Sequence, residues 1–73
     1  MNIEKGIVAT YLKNRKMSDE YLKQADAIMF VDPYTCIDLR GRAIGLLEAN
    51  QTLAECLMEH GFSIDLYMQS NLA

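Results

Sequence analysis

Cys56 and His60 stand four residues apart, so on a helix both side chains project from one side, and Cys36 is the chain's other thiol. A Cys-x-x-x-His pair can hold zinc through a thiolate and an imidazole. A structural zinc site takes four such ligands and usually includes a close cysteine pair, and His60 is the only histidine. No metal is expected. As nucleophile and base, the same two residues lack a third group to orient the imidazole. Glu55 and Glu59 also share a helix side, at a spacing common on solvated surfaces. No nucleophile elbow, Walker loop or dinucleotide fingerprint occurs, and 73 residues leave little room for a pocket that excludes water. These residues argue against an enzyme and against any cofactor. The plainer roles are core packing for Cys56 and capping of the last helical carbonyls for His60.

Phosphate recognition fares little better. The cluster Lys13-Asn14-Arg15-Lys16 is followed closely by Asp19 and Glu20, and the whole chain carries a net charge of −3 with a pI near 4.9. Binding driven by phosphate contacts needs a basic footprint, so nucleic acid is not an expected partner. Arg40 and Arg42 can be placed on a recognition helix, but the spacing of small residues and turn glycine does not fit a helix-turn-helix. A small dimeric DNA-binding transcription regulator remains the alternative function. A metal-dependent or redox-sensing domain built on Cys36, Cys56 and His60 ranks third.

The elements that position these residues all look helical. Ile3, Ile7, Val8, Tyr11 and Leu12 recur at helical spacing, and the cations Lys13, Arg15 and Lys16 suit a helix C-terminus. Ser18, followed by Asp19 and Glu20, reads as the N-cap of a second helix that carries Tyr21, Leu22, Ala25, Ile28 and Met29. Asp32-Pro33 reads as a stop and a new start. A third, central helix then runs to Asn50-Gln51. Thr52 and Glu55 form a capping box for a fourth, which ends at Gly61. The stretch from Phe62 to Gln69 alternates like a strand, yet Ser63 can cap a short helix with Ile64, Tyr67 and Met68 on one face. A lone strand leaves its backbone unpaired, which favours the helix. The expected fold is all-α: one domain over residues 1–73, a bundle of four helices plus a short C-terminal helix or strand.

"LRGRAIGLLEAN", residues 39–50, is the least ordinary segment. Glycine inside a helix costs roughly 1 kcal/mol relative to alanine, yet Gly41, Gly45 and Ala49 line up as a ridge of small residues that another backbone can approach closely. Arg40 lies among apolar neighbours, where its stem can cover apolar surface or its head can meet a carboxylate across an interface. With Tyr67 and Met68 of the tail, Arg40, Gly41, Gly45 and Ala49 are the expected interface residues. On the close-packing reading, Gly45→Leu should destabilise the fold or dissociate a dimer.

Composition points the same way. A hydrophobic fraction of 51% is high for a chain of this length, and chains this small usually lean on a disulfide, a metal or a partner. Two cysteines at this spacing form no disulfide framework. No leader-like segment opens the chain, and no apolar run reaches the ~18 residues of a membrane span. A cytoplasmic setting is therefore expected. The compact, motif-free character resembles that of small phage proteins as a class. The expectation is a homodimeric protein-interaction module, a regulator that acts as adaptor or inhibitor by docking a helical surface on a larger protein.

Overall fold

The computed structural model describes residues 2–67. The chain is all-α, but it is a hairpin of two long helices, α1 (Asn2–Ile28) and α2 (Pro33–Glu59), with a short helix α3 over 64–67. The four-helix bundle expected from the caps is not formed. No helix among the described residues is long and apolar enough to cross a membrane.

A seven-residue repeat explains the two long helices. On α1 the covered positions include Tyr11, Ser18 and Ala25, interleaved with Ile7, Asn14, Tyr21 and Ile28. On α2 they are Cys36, Ala43, Asn50 and Leu57, interleaved with Leu39, Leu46 and Leu53. Spacings of three and four in alternation keep one seam facing the partner helix, as in a coiled coil. Ser18, Ala25, Cys36 and Ala43 are small and at most 3% exposed, so the turn-ward half of the seam is thin. At the open end a bulkier cluster forms, in which Val8, Leu57 and Ile64 are buried.

The two missing breaks share one cause. Between Lys16 and Asp19, and again at Asn50–Thr52, there is neither proline nor glycine to end a helix. Ser18 does not act as an N-cap. Its hydroxyl donates back to the Arg15 carbonyl at 2.8 Å, and the residue is fully buried in the seam. Thr52 likewise donates to the Glu48 carbonyl at 3.3 Å, while the Glu55 carboxylate accepts from Gln51 rather than closing a capping box. A hydroxyl that bonds the preceding turn lets the helix continue. Lys13, Arg15 and Lys16 consequently lie mid-helix, and α1 has no basic residue in its last turn.

The break at Asp32-Pro33 does form. Val31 and Asp32 donate to the Ile28 carbonyl and end α1. The Asp32 carboxylate accepts from the Thr35 hydroxyl and from the Thr35 amide at 3.1 Å. These bonds, the hydroxyl's first, hold the Asp32 carboxyl below its ordinary value. Gly61 adopts φ +78°, and the amides of Phe62 and Gly61 reach the carbonyls of Leu57 and Met58 at 2.9 Å each. That is a Schellman C-cap, which a left-handed glycine permits. The tail then enters α3 as a helix, with the Ser63 hydroxyl accepting from the Leu66 amide.

Candidate interaction surfaces

A two-helix seam leaves two broad flanks, and they differ in character. In a seven-residue repeat the residues just beyond the seam fall on one side or the other according to their offset. One flank gathers Leu12 and Leu22 from α1 with Ile37, Ile44 and Leu47 from α2, all exposed. Ile37 is 69% and Ile44 55% exposed. The opposite flank and the outer ridge carry Lys13, Glu20, Asp38, Arg42 and Thr52 with the small residues of α2. Arg42 is held there by Asp38, one turn earlier, at 3.1 Å.

The apolar flank has a recess and a step. Tyr11, Arg15, Leu47, Asn50, Gln51 and Ala54 line a groove of about 240 Å³. Its floor is anchored by the buried Asn50 amide, which donates across the hairpin to the Tyr11 carbonyl at 2.9 Å. Toward the open end α3 rises from the same flank, with Ile64 packed against Val8 and Leu57. At the other end of the molecule the link between the helices exposes Phe30 (90%) and Val31 (83%), and the first turn of α2 exposes Tyr34 (86%).

The residues singled out in the sequence are dispersed over this framework. Arg40 lies on the apolar flank beside Ile44 and Leu47. Its guanidinium meets Asp26 of α1 at 3.5 Å and the Met29 sulfur at 3.6 Å, and both partners of the ion pair are solvated. Gly41, Gly45 and Ala49 are exposed on the far side of α2. A Cβ built on Gly41 or Gly45 meets nothing within 4 Å, so no element of the hairpin packs on this ridge. Tyr67 belongs largely to the fold, its ring 5.6 Å from that of Phe62 and packed on the open-end cluster. Met68 lies outside the described residues.

The thiols and the imidazole are not brought together. Cys36 is buried in the seam near the turn, whereas Cys56 and His60 are exposed near the open end. Twenty residues of helix separate Cys36 from Cys56, roughly 30 Å at 1.5 Å per residue. No group of three metal-binding side chains exists among the described residues. Cys56 therefore is not a core residue, and His60 caps α2 through its backbone amide rather than its ring. The features that periodicity did not reveal are the tip and the groove, because both depend on which helices are adjacent. Compared with known proteins, the chain matches no family model, no curated protein and no solved structure.

Proposed function

We propose that this chain is a small cytoplasmic protein-interaction module without catalysis of its own, an adaptor or inhibitor that docks on a larger protein. The supporting observation is the tip, where Phe30, Val31 and Tyr34 are each more than four-fifths exposed. Keeping large apolar side chains in water forgoes roughly 1.5–3 kcal/mol each relative to burial. A contact that covers them recovers that energy, and aromatic residues supply area at little entropic cost. Asp32, in the same link, caps α2 beside these residues by accepting from the Thr35 amide.

The test is affinity capture from the native host with the wild-type chain and with Phe30→Asp/Tyr34→Asp. One protein held stoichiometrically by the wild type and lost with the double variant is the expected result. Capture of nothing, or capture unchanged by the substitutions, would overturn the proposal. Salt-dependent retention on duplex DNA would favour the regulator alternative instead.

A further inference from the structure

We infer that the apolar flank binds a second copy of this chain, inverted, so that two hairpins form a four-helix bundle with a two-fold axis beside Ile44. This goes beyond the interaction reading above and rests on different residues.

The shape of the flank selects the occupant. At the open end α3 covers the flank at Val8, and at the other end the helices stop at Ile28 and Pro33. An inverted copy therefore fits over the stretch from Leu12 in α1 to Met29 just past its end, and from Ile37 to Gln51 of α2. The midpoints of those stretches are near residue 20 and at Ile44. They already lie at one level of the hairpin, because Asn50 stands beside Tyr11 and Arg40 beside Asp26. One two-fold axis across the flank then serves both helices.

That axis makes the flank complementary to itself. Ile44 meets Ile44 of the second copy. Ile37 of the second copy comes to the level of Gln51 and enters the groove beside Leu47 and Ala54. Arg15 makes no ion pair among the described residues, and it comes opposite Asp26 of the second copy. Each such contact occurs twice, as an isologous interface requires. The area is also sufficient. The recess measures roughly 26 Å by 20 Å from helix rise and diameter. Two copies together bury about 1,000 Å², the lower bound for a specific contact. Such a dimer leaves its two apolar tips at opposite ends.

Sedimentation equilibrium of the full chain, with helicity followed by circular dichroism, provides the test. The wild type should be dimeric at micromolar concentration, and Ile44→Asp should be monomeric because two carboxylates would meet on the axis. A hairpin that loses its second copy can also lose helix, so charge reversal is the cleaner measurement. It is made with Arg40→Gln in place, which removes the cation beside position 26 within one copy. In that background Arg15→Asp should weaken the dimer about tenfold or more through like-charge contact, and adding Asp26→Arg should restore it. Gly45→Leu, on the other side of α2, should leave the dimer unchanged. With Cys56→Ser in place, Ile44→Cys should oxidise to a covalent dimer. A wild-type monomer at every concentration, a dimer indifferent to Arg15→Asp, or no recovery in the double reversal overturns the inference. So does dissociation by Gly45→Leu with Ile44→Asp still dimeric, which would move the interface to the small-residue ridge. All these readings use the purified chain, so they leave capture of a larger protein to its own test.

Discussion

Individual residues in this hairpin owe their roles to which helix faces them. Gly45 is the clearest case. The spacing of Gly41, Gly45 and Ala49 suggests a ridge for close helix approach, but in the hairpin this ridge has only open space before it. With no neighbour to crowd, propensity alone decides the sign of a substitution. Gly45→Ala should raise hairpin stability by up to about 1 kcal/mol, and Gly45→Leu should also melt higher than wild type. A lower melting temperature for Gly45→Leu would show that something outside the hairpin packs on the ridge. Arg40, by contrast, sits where its apolar neighbours imply, and its partner Asp26 belongs to the same chain. A solvated pair of this kind is worth at most about 1 kcal/mol, so Arg40 is free to re-pair when the flank is covered.

Among the elements, the contest lay between local caps and a long-range seam. Ser18 and Thr52 are good N-cap types, and the residues after them are acidic or apolar in the expected order. Both hydroxyls instead bond the preceding turn, and the seven-residue repeat runs through them without interruption. Helix continuity at Ser18 can be probed with Asp19→Pro. Were Ser18 an N-cap, Asp19 would be the first helical residue, the position proline favours. Inside a continuous α1 the same change removes an amide donor and clashes with the previous turn, at a cost of about 3 kcal/mol. We expect a large drop in melting temperature; an unchanged melt would reinstate the break. Asp32-Pro33 behaves otherwise because proline cannot be absorbed by a neighbouring turn.

For the whole molecule, the seam buries few large side chains completely. Leu57 is the one large apolar side chain among the described residues that is essentially fully buried, and the turn-ward half of the seam is built from Ser18, Ala25, Cys36 and Ala43. Small seam residues bring the backbones close but bury little apolar area, and burial is what offsets chain entropy. Leu39, Leu46 and Leu53 are only partly covered in the seam, and Leu12, Leu22, Ile37, Ile44 and Leu47 lie outside it on the flank. Stability should therefore depend on concentration: if the flank is covered by a second copy, the melting temperature rises with protein concentration through mass action. Melts recorded over a hundredfold dilution series (roughly, from the strength of the contact) check this, and superimposable curves would mean that the hairpin stands alone.

Local signals carried the all-helical class, the stop at Asp32-Pro33 and the left-handed cap at Gly61, because proline geometry and a glycine φ act within one or two turns. The tail stood between helix and strand on local signals, and its described part, 64–67, is helical. The number of helices did not follow from those signals. Whether Ser18 and Thr52 cap or continue a helix depends on the gain from burying their neighbours against another helix, and that gain exists only once α1 and α2 are side by side. The same holds for surface chemistry. Periodicity could say that Ile37, Ile44 and Leu47 share a side of α2, but only the packing of α1 along Cys36, Ala43, Asn50 and Leu57 decided that this side stays exposed. One helix can satisfy one seam, and the apolar residues left over by that geometry became the outer flank.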